Sequence, residues 1–401
     1  MNKVILFIID GLGDLPTPKT PLQAAKTPNL DKIAHKGITG LLAPLGRGVV
    51  PGSDTSHLEL LGYDPRLFYC GRGPLEALGI GMELEEGDVA FRANFATVKD
   101  GKIVDRRAGR IDTASASKLA EGLSMEIEGT RVMFQNSVEH RGAVVLRGTG
   151  ISHMVSSTDA KPGYPPALSH PFDQSGESQK TARIVNTYMQ KVMEKLGKSP
   201  ENESRVKKGL PPANALLLRG AGSFVEVPTF EERFSVKAAC VAGGALYRGV
   251  AKYLGMDVFM LAGDTGDKNT DLKAKAIAVV KALEDYDLLF VHVKGCDNYG
   301  HDGDFKGKTE MLERIDRDMI SALAKTGADL VITGDHSTPC IRKAHSGHEV
   351  PILFFGDNER YDNVKKFDEI SCMDGGLGHI EGKDVMPMIL NMLGKARKYG
   401  S

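Results

Sequence analysis

Cysteine is scarce and unpatterned: five residues in 401 (Cys70, Cys240, Cys296, Cys340 and Cys372), odd in number, scattered, and without a CxxC pair. That excludes a disulfide framework and a thiolate zinc knuckle, and it fits a reducing cytoplasm. Excess charge is missing too. Fifty-one Lys+Arg against 52 Asp+Glu leave a net charge of -1, so nothing in the overall balance draws the chain to nucleic acid or to an anionic membrane. Any bound anion must be met by local charge. The first apolar run, VILFII at 4–9, is only six residues long before Asp10. It is too short for a secretory signal core or a bilayer span and reads as a first strand. No low-complexity tract is present, and charged residues at 26% are ordinary for a folded chain.

What the sequence does have is a series of short continuous apolar runs: VILFII, AACVAG (238–243), VFMLAG (258–263), LLFVHV (288–293), DLVITG (329–334) and VPILFF (350–355). None alternates polar with apolar, the pattern expected of strands buried on both faces of a parallel sheet. Helical stretches lie between them. In TEMLERIDRDMISALAK (309–325), Leu312, Ile315, Met319 and Leu323 share one stripe while Glu313, Arg314 and Arg317 turn away, which predicts a helix covering the sheet. Strands alternating with helices predict an α/β fold with a mostly parallel sheet, whose ligands collect beyond the carboxyl ends of the strands.

From about 86 to 232 the texture changes. Strand candidates become shorter (VAFRANFATV, GAVVLRG, NALLLRG), turns are rich in Gly and Pro, AKPGYPPALSHPFDQSGESQ (160–179) reads as loop, and KSPENESRVKKGLPPAN reads as a polar connector. The expected organisation is a core of residues 1–85 and 233–401 interrupted by a smaller α/β domain, 86–232.

The chemistry follows the apolar runs. Asp10 follows VILFII, Asp297 follows LLFVHVKGC and Asp335 follows DLVITG, so three carboxylates should share one sheet edge, where their repulsion calls for a cation. GCDNYGHDGD adds His301, TGDHS adds His336, and HSGHEVP adds His345 and His348. Mixed oxygen and imidazole donors suit Mn²⁺, Zn²⁺ or Co²⁺, with Mg²⁺ at a more oxygen-rich position, and a seventh donor would complete two ion sites. In VVPGSDTSHLELLGYDP (49–65), Ser53 or Asp54 can be read as a helix N-cap. Ser53 can equally be read as a hydroxyl at the positive end of a helix, where a phosphoryl group is favoured and a bound ion would make it a nucleophile.

At this point IIDGLGD, GSDTSHLELLGYDP, RGPLEALGIGM, VHVKGCDNYGHDGD, TGDHSTP and HSGHEVP resemble, in that order, the archaeal-type cofactor-independent phosphoglycerate mutases of the alkaline phosphatase superfamily. The resemblance runs through nearly the whole chain and is weakest in the insert. It implies an alkaline-phosphatase-like α/β core, an inserted substrate-binding lid, and an isomerase, formally an intramolecular phosphotransferase, of glycolysis and gluconeogenesis. That enzyme would move phosphate between 3-phosphoglycerate and 2-phosphoglycerate through a phosphoserine, with two divalent ions, Mn²⁺ first among them, and no 2,3-bisphosphoglycerate. By the same resemblance Ser53 is the nucleophile, Asp10, Ser53, Asp335 and His336 hold one ion, and Asp297, His301 and His345 hold the other. The spacing to Val350 and Pro351 selects His345 over His348, which departs from the pattern as a solvent-facing or ligand-supporting residue. Asn298 and Tyr299 are unusual within their motif.

Substrate contacts are read from local charge. Arg92, Arg106, Arg107, Arg110, Arg141 and Arg219 flank short strands of the insert, and guanidinium suits carboxylate and phosphate. Lys252 resembles a lysine near the nucleophile in the wider mutase family. Lys294 would either offset charge on the phosphoserine or pair with a ligand carboxylate. Partners are thus a small phosphate ester, with neither nucleic acid nor membrane. The rival readings are a phosphohydrolase or phosphopentomutase using the same centre and, from another class, a non-catalytic metal-binding protein.

Overall fold

The structure, a computed structural model, describes residues 2–398 and 400. These residues form two compact units, 1–69 with 227–401 and 70–226. In chain order the strands are β1 (Val4–Ile9), β2 (Ile38–Ala43), β3 (Val89–Lys99), β4 (Lys102–Asp105), β5 (Met125–Ile127), β6 (Thr130–Asn136), β7 (Arg141–Arg147), β8 (Ala215–Ser223), β9 (Ala238–Val241), β10 (Asp257–Phe259), β11 (Leu288–Val293), β12 (Asp329–Thr333), β13 (Val350–Phe355) and β14 (Gly378–Glu381).

The first unit is built on an eight-stranded sheet in the order β10-β9-β11-β1-β12-β13-β2-β14. Only β13 runs against its neighbours. The mostly parallel α/β sheet expected from the apolar runs is present, and β1, β11 and β12 are adjacent at its centre. Every residue of β1 and β11 is buried, as strands covered by helices on both faces require. VFMLAG departs from that expectation: only three of its neighbourhood's residues pair, as edge strand β10, and Met260 beyond it is 69% exposed.

The helix expected over 309–325 starts earlier, at Phe305, and its stripe of Leu312, Ile315, Met319 and Leu323 is fully buried. It is interrupted by a wide turn, Asp316–Ile320. There the buried Asp316 accepts from Leu30 N–H at 2.7 Å and Asn29 Nδ2 at 2.8 Å, satisfying free donors at the start of the helix Pro28–Ala34. Asp271, rather than Asp264 or Asp267, caps the helix Leu272–Ala282, and Asp264 pairs with the buried Lys275 at 2.8 Å.

The second unit carries an antiparallel sheet, β4-β3-β7-β6-β5 with β8 also on β3. The helix Gly176–Gly197 buries Ile184, Val185, Tyr188 and Val192 in its core. The boundary expected at 85/86 falls instead at 69/70, because the helix Arg72–Gly79 belongs to this unit: Gly73 sits so close to the Ala90 carbonyl that a Cβ would lie 2.0 Å from it. The second boundary falls at 226/227 rather than 232/233. Nor is the stretch after Lys198 all connector. Pro200–Lys207 is a helix with Pro at its start, Glu201 and Glu203 in the first turn and Arg205 and Lys207 in the last, the end-charge pattern that favours a helix.

Candidate metal centre

The parallel sheet brings its loops to one edge. Asp10 directly follows β1, Asp297 begins one turn into the helix Gly295–Asp302 after β11, and Asp335 lies two residues beyond β12. Register fixes their proximity, since Ile9 pairs with Val293 and Ile8 with Thr333. Gly11 is required there: its φ is +68°, and a Cβ would sit 2.7 Å from Asp297 Cα. Because β13 is antiparallel, its beginning lies on this same edge, and the segment leading into it delivers His345.

Two donor groups result, Asp10 with Asp335 and His336, and Asp297 with His336 and His345, each with ligand atoms within 4.8 Å of one another. His336 Nε2 is 3.2 Å from Asp335 Oδ2 and 3.5 Å from Asp10 Oδ1. His301 Nε2 and His345 Nε2 lie 3.3 and 3.5 Å from Asp297 Oδ1. The six Asp and His residues expected to hold ions are therefore gathered, with His336 shared between the two groups.

The imidazoles are oriented as ligands are. His345 Nδ1–H donates to the Pro51 carbonyl at 3.0 Å, His301 Nδ1–H to the Lys343 carbonyl at 3.1 Å, and His336 Nδ1–H to Thr338 Oγ1 at 3.0 Å. Each leaves Nε2 with its lone pair toward the carboxylates, the outer-shell arrangement that fixes metal-binding histidines. Asp10 Oδ1 and Asp335 Oδ2 are buried and accept no hydrogen bond. Buried anionic oxygens in that state are costly unless a cation meets them. Burial pushes the Asp297 carboxyl up, but His301, His345 and the Lys294 ammonium outweigh it and hold it below the usual carboxylate range. Donor set, orientation and unpaired oxygens all suit divalent cations.

Ser53 begins the helix Ser53–Leu60, with Gly52 in the capping position and no side-chain cap. Its hydroxyl is therefore not spent on its own helix: Ser53 Oγ lies 3.1 Å from His336 Nε2. Asp54 turns elsewhere, accepting from Thr55 N–H at 3.1 Å and from Tyr69 OH at 2.6 Å. Lys294 pairs with Asp10 at 3.0 Å and Asp297 at 2.6 Å, the second of the two roles open to it. Lys252 is not brought to the centre. Tyr247, on the same helix, Ala245–Tyr253, reaches Asp10 Oδ2, and five residues on, Lys252 is rotated by about 140° and is exposed. His348 is exposed and bonds Ser346 Oγ.

Four contributors went unread in the sequence. His292, inside LLFVHV, donates to Asp10 Oδ2 at 3.1 Å; burial holds it neutral, down to about 4. Tyr247 stacks on it. His57, one helical turn after Ser53, donates to the Ser53 carbonyl at 2.5 Å, a spacing visible in SDTSH. Thr338 Oγ1 donates to Asp297 Oδ1 at 2.9 Å.

In the second unit the arginines also gather. Arg92 of β3 lies directly across from Arg219 of β8, and burial with the charges of Arg72, Arg219 and Arg141 holds Arg92 down to about 10 against the pull of Glu76. His140 is held down to about 4 by burial and, after it, by the charges of Arg141, Arg107 and Arg110. Arg106 is taken up by Asp159.

Fold and centre define an α/β enzyme with a serine hydroxyl set in a carboxylate–imidazole site suited to divalent cations. A family model for 2,3-bisphosphoglycerate-independent phosphoglycerate mutase matches residues 34–202. The enzyme of that name, numbered 1, from Methanocaldococcus jannaschii is 46% identical over 100% of this chain and 99% of its own. Its counterpart from Archaeoglobus fulgidus is 44% identical over 99% and 100%. Among solved structures, the cofactor-independent phosphoglycerate mutase of Thermoplasma acidophilum is 37% identical with a TM-score of 0.72, covering 98% of this chain and 100% of that one. A Pyrococcus horikoshii protein reaches 0.87 at 37% identity over 100% and 99%. The chain belongs to the archaeal-type 2,3-bisphosphoglycerate-independent phosphoglycerate mutases, the family its motifs resemble.

Proposed function

We propose that this enzyme interconverts 3-phosphoglycerate and 2-phosphoglycerate in the cytoplasm, in glycolysis and gluconeogenesis, through a phosphoserine on Ser53 and with two divalent ions. The observation that carries the reading is Ser53 Oγ standing 3.1 Å from His336 Nε2, inside the ligand cluster rather than capping its own helix. Ions held by Asp10, Ser53, Asp335 and His336 and by Asp297, His301 and His345 would supply Lewis acidity, lowering the pKa of the serine hydroxyl and offsetting phosphoryl charge. Mn²⁺ suits this donor set first, with Mg²⁺, Zn²⁺ and Co²⁺ as alternatives.

Ser53 Oγ forms a bond to phosphorus as the bond from phosphorus to the glycerate oxygen breaks, and the proton lost by Ser53 is matched by the one that oxygen gains. The glycerate then turns, its other hydroxyl attacks phosphorus, and Ser53 leaves and recovers a proton. No water is consumed, so the glycerate must be held while water is kept out. We assign that holding to Arg92, Arg107, Arg110, Arg141 and Arg219, whose guanidinium groups suit carboxylate and phosphate, and to the second unit the part of a substrate-binding lid.

The test is a coupled assay on 3-phosphoglycerate without bisphosphoglycerate, with and without EDTA, and with Ser53→Ala. Chelation should abolish turnover, and Ser53→Ala should lower it at least about 10⁴-fold, as removal of a nucleophile does. Activity retained by Ser53→Ala would reject the phosphoserine route. Release of inorganic phosphate in place of 2-phosphoglycerate would assign the centre to hydrolysis.

A further inference from the structure

Lys308 lies on the helix Phe305–Ile315, has no exposure, and belongs to none of the groups described above. Its three ammonium hydrogens match three acceptors: the Gly13 carbonyl at 3.1 Å, Asp14 Oδ2 at 2.9 Å and the Thr338 carbonyl at 3.0 Å. Two of these belong to the loop that starts with Asp10, and the third to the loop that starts with Asp335 and His336. Asp14 draws the same loops together from the other side, accepting from Cys340 N–H at 3.1 Å. Thr338, whose carbonyl Lys308 holds, has its hydroxyl on both ion groups at once, donating to Asp297 and accepting from His336.

We propose that Lys308 is a positioning residue of the metal centre, setting through Gly13 and Thr338 the spacing between its two ligand groups. The inference rests on the reading of that centre as one that holds divalent ions. A buried ion pair is weak support for a fold, since well-packed apolar replacements are often neutral or stabilising. What marks this pair is where its bonds go: apart from Leu15 N–H, every partner of Lys308 and Asp14 on these loops lies within four residues of an ion-binding side chain. Outer-shell partners of this kind change metal affinity about 10–100-fold when lost.

The experiment is Mn²⁺ titration of the unaltered protein and of four variants, read as a dissociation constant well below the melting temperature. Lys308→Met with Asp14→Asn removes both charges together, so neither is left buried alone, and should weaken Mn²⁺ binding about tenfold or more. Thr338→Val should weaken it comparably, whereas Thr338→Ser, which keeps the hydroxyl, should not. Combined with the double variant, Thr338→Val should cost less than the product of the separate effects, because the two act along one route. Affinity within twofold of the unaltered protein in the double variant overturns the inference. Should the double variant not fold, unchanged affinity in Thr338→Val does so alone. If the unaltered protein takes up no Mn²⁺, the metal-centre reading fails and the inference falls with it.

Discussion

In the first unit, Asp10, Asp297 and Asp335 leave the ends of three adjacent parallel strands; in the second, Arg92, Arg141 and Arg219 lie on three adjacent antiparallel ones, β3, β7 and β8. The carboxylates come from positions 10 to 335, the arginines from 92 to 219. A parallel sheet gathers loop residues at one edge whatever their separation in sequence, and leaves each loop free to aim its side chain. An antiparallel sheet gathers residues on a face, where alternation along the strand does the aiming. Both groups concentrate like charge at a cost, the carboxylates in near-complete burial and the arginines directly across a strand pair. The difference fits the partners proposed for each: a cation at the first, an anion at the second.

The largest expected effect separates the two. Asp335→Asn should lower turnover by about 10³-fold or more, and should remove the stabilisation that Mn²⁺ gives the unaltered protein, about 2.7 kcal/mol at a hundredfold excess over its dissociation constant. Thermal melts with Mn²⁺ and with EDTA measure it; an equal shift in the variant would break the comparison. Next in size is Arg92→Met, which should lower kcat/KM for 3-phosphoglycerate about 10–100-fold, the worth of one charged hydrogen-bonding group. Mn²⁺ affinity should stay unchanged if Arg92 holds the substrate's anionic groups as proposed.

Two pH effects on stability, of opposite sign, complete the comparison. His140, in the second unit, is held down to about 4 from an ordinary value near 6.5. The folded form resists the proton that the unfolded chain accepts, so the contribution is full above about 6.5 and is lost as pH falls toward 4, by about 2 kcal/mol after solvent screening. His140→Gln should flatten that loss. Glu369, in the first unit, accepts from Asp14 N–H and Thr20 Oγ1, and burial pushes it up to about 7. Here the folded form retains a proton the unfolded chain gives up near 4.5, so stability falls as pH rises between those values, by up to about 3 kcal/mol. Glu369→Gln should stabilise at pH 8 and change little at pH 4.5. Urea unfolding at several pH values checks both, and equal slopes in variant and parent would refute either assignment.

Much of the centre was legible because a buried parallel strand reads as an unbroken apolar run, and a carboxylate just past its end stands out against it. Ser53 could be noticed but not decided: its neighbours allowed a cap, and only the capping role of Gly52 showed the hydroxyl to be free. His292 was hidden by the same apolar context that exposed Asp10, for a histidine within LLFVHV reads as one more core position. Tyr247 and Lys252 show the reverse limit. Both lie on ALYRGVAKY, and which of them faces Asp10 depends on the phase of that helix against the sheet, fixed by packing rather than by the local pattern. The break in the helix after Ile315 was equally invisible, because it answers to free donors at Asn29 and Leu30, nearly three hundred residues away.

The central place of β1 carries a consequence for synthesis. Its neighbours β11 and β12 begin at residues 288 and 329, so on the ribosome VILFII emerges first and waits with both edges open while the second unit, contiguous from 70 to 226, can pair all its own strands. An apolar strand left open for that long invites association between nascent chains. On the proposed ligand assignment, the site that joins Asp10 to Asp335 and His336 cannot form until most of the polypeptide has been made.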